Sequence, residues 1–140
     1  MLQPKSPTYA LLAVTEIARQ QEGGRQGVQA SELAETFELP VAYLARILSL
    51  LVSGKILRSK RGPRGGFYLA HDPSALSILD VINAVGGVDD MKESIAALKM
   101  PRPLQRSLSD AFSDAAQAAR ASLAGVPVSS LLNGKAKGKK

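Results

Sequence analysis

The strongest constraint on this chain is a punctuated run between residues 30 and 70. Two amphipathic segments are separated by a tight break, and a basic, glycine-rich hairpin follows directly. Residues 30–37 (Ala-Ser-Glu-Leu-Ala-Glu-Thr-Phe) put Leu33, Ala34 and Phe37 on one helical face. Glu38-Leu39-Pro40 is the break, and Pro40 suits the entrance to a new helix. That helix, about 41–53, carries Leu44, Ile47, Leu48 and Leu51 on one stripe, and Gly54 is its expected stop. Its other face holds Ala42, Tyr43, Ala45, Arg46 and Ser49, short side chains apart from Tyr43 and Arg46. Residues 55–60 read as a strand, 61–66 as a turn and 67–69 as the returning strand. The Gly65-Gly66 pair is expected to supply positive φ at the tip.

Charge is concentrated in the same place. Lys55, Arg58, Lys60, Arg61 and Arg64 fall within ten residues that contain no acid. The net charge is +6, but Lys135, Lys137, Lys139 and Lys140 in a terminal Gly/Lys tail account for four of it. A local cationic cluster suits a phosphate-bearing partner, and a solvated charged loop is the plain alternative. A helix with small side chains and one or two long polar ones fits a DNA major groove, while the hairpin holds phosphates or probes the minor groove. The order helix, short helix, break, helix, basic hairpin is that of a winged helix-turn-helix.

The flanking segments complete this unit. Ser6-Pro7 is a helix start, with Ser6 as a potential cap, and the helix runs through Tyr9, Leu11, Leu12, Val14 and Ile17 to about Gln21. It is nearly all apolar in its first half, which marks it as central to the core, with Tyr9 as a core aromatic. Asp72-Pro73 closes the hairpin. A fourth helix, about 77–85, ends at Gly86-Gly87, and residues 88–101 hold only a weak helical stretch. A long helix is expected over 102–124, with Val126 to Leu132 as a short capping turn. Leu104, Leu108, Phe112, Ala115, Ala119 and Leu123 form one coiled-coil-like seam along it, suited to a two-fold partner; a helix folded back on its own domain is the alternative.

Several function classes are excluded or weakened. The chain has no cysteine, so disulfides, thiolate nucleophiles and thiolate-ligated metals are out. His71, the lone histidine, lies beside Asp72 and reads as a surface residue. Ser107, Ser109 and Ser113 have no histidine partner in sight, and Gly62–Gly66 is not followed by the Gly-Lys-Ser/Thr of a phosphate loop. Asp89 and Asp90 are too few for a cation loop. No catalytic residue, metal or cofactor is expected. No stretch reaches the roughly 18 apolar residues of a membrane span, and no signal peptide is visible, so a cytoplasmic protein is expected by default.

Pro40-x-x-Tyr43-Leu44-x-x-Ile47-Leu48, then Gly54-x-Ile56-Leu57 and Arg61-Gly62-Pro63-x-Gly65-Gly66-x-x-Leu69-Ala70, resembles the iron–sulfur cluster regulator (Rrf-two type) family. Ser77-Ile78-Leu79-Asp80-Val81-Ile82-x-Ala84-Val85 extends the resemblance, which covers residues 5–87 well and the long helix by position and pattern. It implies a homodimeric bacterial transcription regulator, usually a repressor at a roughly palindromic promoter site. By position it matches Ala42, Tyr43 and Arg46 to the family's recognition helix and Arg61 to its wing arginine; the charge pattern adds Lys60 and Arg64 as wing contacts and Lys5, Lys55 and Arg58 as phosphate contacts. Tyr43 is as readily a packing residue. Three departures stand out. The cysteines that hold the cluster in many relatives are absent. Glu38 occupies a bend where the family often has glycine. Pro7-Thr8 replaces a basic approach to Tyr9, for which Lys5 is a substitute.

The expected fold is mainly α with a small β-hairpin: a winged helix-turn-helix domain over 1–87, a connecting segment over 88–101, a dimerisation helix and cap over 102–132, and a basic tail over 133–140. The expected partners are double-stranded DNA and a second copy of the chain, with an effector or protein partner open. The alternative is a module of the same fold that senses a partner or small molecule and binds DNA weakly or not at all.

Overall fold

A computed structural model describes residues 6–132, so Lys5 and the lysine tail lie outside the described residues. Six α-helices and one hairpin follow in order: α1 (Ser6–Glu22), α2 (Ala30–Phe37), α3 (Val41–Ser53), β1 (Leu57–Lys60), β2 (Gly66–Leu69), α4 (Ile78–Ala84), α5 (Lys92–Ala96) and α6 (Arg102–Ala124). Single 3-10 turns stand at Pro73–Ala75 and Val128–Leu131. The architecture is the expected one, mainly helical with one antiparallel hairpin.

The core sits where α1, α3 and α4 meet under the hairpin. Ala10, Ala13, Val14 and Ile17 of α1 are fully buried, as are Leu44, Ile47, Leu48 and Leu51 of α3 and Val81 of α4. Tyr9 packs half-buried against this core. Leu12, on the other face of α1, is 40% exposed. Ser6 is not a free cap: it is the first helical residue, wholly buried, and its hydroxyl is paired with that of Tyr43 at 3.2 Å.

Local chemistry explains the other boundaries. Helix α2 starts on a capping box in which Glu32 accepts from the Gln29 backbone N–H at 2.9 Å. It ends at Glu38, whose φ of 54° is left-handed. The bend that favours glycine is thus filled by a residue that pays about 1 kcal/mol for it. Ser77 and Asp80 form a second capping box that opens α4.

Gly54 stops α3 as expected, and one other glycine expectation needs correction. Gly54 has φ −81°, and the left-handed residue is Lys55 at 65°. Gly54 is needed for room, because a Cβ there would lie 2.7 Å from the Cβ of Ala84. In the hairpin, the positive φ belongs to Gly62 at the tip and to Gly66 as β2 begins, not to a pair at the tip. Gly65 is a close-approach residue: its Cβ would sit 2.2 Å from the Lys60 carbonyl oxygen. Strand β1 also begins two residues later than expected, because Lys55 turns the chain before it can extend.

The chain after α6 returns to the core. Ile78 N–H donates to the Val126 carbonyl at 2.8 Å and Val128 N–H to that of Leu76 at 2.7 Å, with Val128 fully buried. Helix α6 itself touches α4 and α5 but buries only Ala116.

Candidate nucleic-acid interface

The outer face of α3 is built from small side chains around one long one. Val41, Ala42, Ala45, Arg46 and Ser49 are all exposed, while the stripe from Leu44 to Leu51 is locked in the core. Arg46 therefore projects from a helix that can lie close against another surface. Tyr43 is different. Its ring meets that of Tyr9 edge-on at 5.8 Å, its hydroxyl is engaged by Ser6, and it is only half-exposed. It ties α3 to the start of α1.

The hairpin carries the other cations. Arg58 and Lys60 alternate along β1 and so share one face, and both are exposed. Arg61 and Arg64 stand in the exposed turn. Among the described residues, Arg46, Arg58, Lys60, Arg61 and Arg64 form no ion pair; the pairs found are Arg19–Glu16 and Arg25–Glu32. Lys55 is set apart. It lies at the foot of the hairpin, the end away from the 61–65 turn, and lines a hollow with His71 and Asp80.

What sequence reasoning missed is how the hairpin is held. Val28, in the link between α1 and α2, pairs with Phe67: Val28 N–H donates to the Phe67 carbonyl at 3.0 Å and Phe67 N–H to that of Val28 at 2.8 Å. Gln29 Nε2 donates to the Gly65 carbonyl at 3.0 Å, and the Leu69 N–H donates to Gln21 Oε1 at 2.7 Å. A Cβ on Gly27 would lie 2.6 Å from the Gly65 carbonyl oxygen, so glycine there permits the close backbone contact. The glycine at 27 was the one available signal, since glycine beside a strand often marks such an approach. Arg25 was missed as well. Its guanidinium bonds Gln20, the Gly27 carbonyl and Glu32, and it lines one hollow with Arg64. The Arg25 hydrogen bond, followed by that from the Gln29 backbone, holds the Glu32 carboxyl below the ordinary carboxylate value.

Residues 5–134 match the Rrf2 family, described as "Iron-dependent Transcriptional regulator". The chain belongs to the Rrf2 family. BadM of Rhodopseudomonas palustris is 36% identical over 78 residues, which are 56% of this chain and 48% of that protein. The HTH-type transcriptional regulator IscR of Escherichia coli is 32% identical over 77 residues, 55% of this chain and 46% of its own length. The match thus spans about half the length of these relatives. In fold, the chain is similar to CymR, the global cysteine regulator of B. subtilis (TM-score 0.69, 23% identity, 95% of this chain and 98% of that one). It is also similar to T. potens IscR (TM-score 0.71, 20% identity, 100% and 93%). These neighbours share the winged-helix fold, and the family is one of transcriptional regulators rather than enzymes.

The family's iron dependence does not transfer to a cluster site here. Between α4 and α6 the Rrf2 chain has no cysteine. Two of the three acids there accept from backbone, Asp89 Oδ1 from Met91 N–H at 2.8 Å and Asp90 Oδ1 from Lys92 N–H at 3.1 Å. No three His, Cys, Asp or Glu residues among the described residues gather as metal ligands. An iron–sulfur cluster wants thiolates, and the residues present do not fit it.

Proposed function

We propose that the chain is a sequence-specific DNA-binding regulator that acts as a homodimeric repressor at a palindromic promoter site, with no iron–sulfur cluster. The observation that carries this reading is the set of unpaired cations on the hairpin next to a helix α3 whose exposed face is small apart from Arg46. In this reading α3 enters the major groove, with Ala42 allowing close approach and Arg46 reading a base edge. Arg61 and Arg64 follow the adjacent groove. Arg58 and Lys60, with Lys5 near the start of α1, neutralise phosphates. Tyr43 contributes by orienting α3, because its hydroxyl is already engaged. The dimer forms through the seam on α6, where Leu104 and Phe112 are 49% and 40% exposed and otherwise uncovered.

The test is competition binding with promoter fragments from the protein's own locus. Arg46→Ala is expected to weaken specific binding by about 1–3 kcal/mol while leaving nonspecific binding nearly unchanged. Equal losses in both would remove the base-reading role. A second reading, a partner- or small-molecule-sensing module of the same fold, is favoured by the absence of cluster donors, which leaves any input to another site. Failure of the purified chain to bind any such fragment at low salt would favour it.

A further inference from the structure

We infer that the hollow at the foot of the wing is a binding site for a small zwitterion of the amino-acid class. The hollow has a volume of about 460 Å³, within the range of roughly 300–1,000 Å³ common for small-molecule pockets. Its two walls carry opposite charge. The α3–wing side contributes Lys55 and His71, and the α4 side contributes Asp80 and Asn83. Ile56 and Leu76, 5% and 4% exposed, provide an apolar base. A purely anionic ligand would meet the Asp80 carboxylate, and a purely cationic one would meet Lys55. A molecule with a carboxylate, an ammonium group and a short apolar body satisfies both walls and the base.

The polar groups are available for it. Among the described residues, Lys55, His71 and Asn83 make no side-chain hydrogen bond and no ion pair, and Asp80 gives one oxygen, Oδ2, to the Ser77 N–H at 2.9 Å. The neighbouring Asp72 is turned away into its own 3-10 turn, where it accepts from Ser74 N–H and Oγ–H at 2.8 and 2.7 Å. Lys55 is held at a left-handed φ of 65° by the Ile56 N–H bond to the Leu51 carbonyl and its own N–H bond to Val52. Strained non-glycine residues of this kind concentrate at ligand clamps.

The position gives such a ligand leverage. Gly54 and Ala84 meet at the edge of the hollow, so the end of α3 touches the end of α4, and α4 in turn touches α6. An occupant would grip the hairpin and α4 at once. Its effect on promoter affinity rests on the DNA-binding reading above, but its binding does not.

The test therefore uses the full chain without DNA. His71 is the only histidine, so its imidazole Hε1 gives a single assignable NMR resonance. Each of the twenty standard L-amino acids is titrated to 10 mM at pH 7. At least one is expected to shift the His71 resonance saturably. Its carboxamide and its deaminated analogue should each bind at least tenfold more weakly, as should the Lys55→Gly and Asp80→Asn variants. Glycine accepts the φ at 55, and asparagine keeps an acceptor for Ser77, so both variants should retain the wild-type circular dichroism. If Asp80→Asn does not fold, Lys55→Gly decides alone. The inference is overturned if no amino acid gives a saturable shift, if inorganic phosphate or the deaminated analogue binds as well as the amino acid, or if folded Lys55→Gly binds undiminished.

Discussion

Gly27→Ala tests whether the wing is a docked element or a free loop. The new Cβ would sit 2.6 Å from the Gly65 carbonyl oxygen, 2.8 Å from its carbon and 3.1 Å from the Arg64 carbonyl oxygen. Comfortable carbon contacts begin near ~3.5 Å, so the two backbones must part by roughly 0.7 Å or more. Nothing at this contact is a flexible side chain, so the link and the turn must move as backbone. That movement strains the Gln29–Gly65 bond and the two Val28–Phe67 bonds, each worth about 1 kcal/mol net. Overpacking of this kind costs about 1–3 kcal/mol. We expect a loss of about 2 kcal/mol, seen as a urea midpoint lowered by about 1 M at unchanged slope. Anisotropy with a labelled duplex should show a drop of about tenfold or more in affinity, since Arg61 and Arg64 move with the turn. The matched control is Gly23→Ala, whose Cβ meets only the Gln20 carbonyl at 3.5 Å and the Arg19 carbonyl at 3.9 Å. It should stay within about 0.5 kcal/mol of wild type. A Gly27→Ala protein as stable as the Gly23→Ala control, with wild-type DNA affinity, would refute the docked wing.

Glu38→Gly should raise stability by about 1 kcal/mol at the same protein concentration, because it relieves the left-handed φ at the end of α2; a lowered urea midpoint would show that the Glu38 side chain offsets its strain. Tyr43→Phe leaves the wholly buried Ser6 hydroxyl without its partner and should cost about 1 kcal/mol. Tyr43→Ala should cost clearly more, through loss of the ring contact with Tyr9. A Tyr43→Phe protein of wild-type stability but with altered sequence preference would instead return the hydroxyl to base reading. The Glu32 carboxyl is depressed below its ordinary value of 4.5 in the folded chain, so its contribution is full above that pH and is lost as pH falls through the folded value. Urea midpoints from pH 6 to pH 3 should therefore fall less steeply in Arg25→Ala than in wild type.

The helices were legible because their ends are chemically loud. Pro40 opens α3, Pro101 precedes α6 and Gly86-Gly87 follow α4, so a 3.6-residue pattern between such marks has little freedom. The apolar stripe on α6, with Leu104 and Phe112 exposed on it, was legible as a helical pattern in the same way. The glycines were not, because one residue type serves two purposes. Gly62 and Gly66 are needed for backbone conformation, whereas Gly27, Gly54 and Gly65 are needed for space. A sequence cannot distinguish these, since the atom that would clash at Gly27 belongs to a turn some 38 residues away. Tyr43 was ambiguous on similar grounds: its helical position faces outward, and only the arrival of α1 brings Ser6 and Tyr9 to it.

What the unread contacts change is the mechanical picture of the site. A wing attached only through β1 could swing independently of the helix-turn-helix. Here the link between α1 and α2 pairs with β2, and Gln29 joins the start of α2 to the wing turn through one side chain. The helix-turn-helix and the wing are therefore positioned by a common frame, and a change in one should be felt by the other. The frame's other end is the contact of Gly54 with Ala84 on α4, which leads to α6. That connection gives an input at α4 or α6 a path to α3 and the wing. The charged hollow beside Gly54 lies on it, whereas the hollow between Arg25 and Arg64 lies on the wing side of the frame, where an occupant would compete with nucleic acid instead.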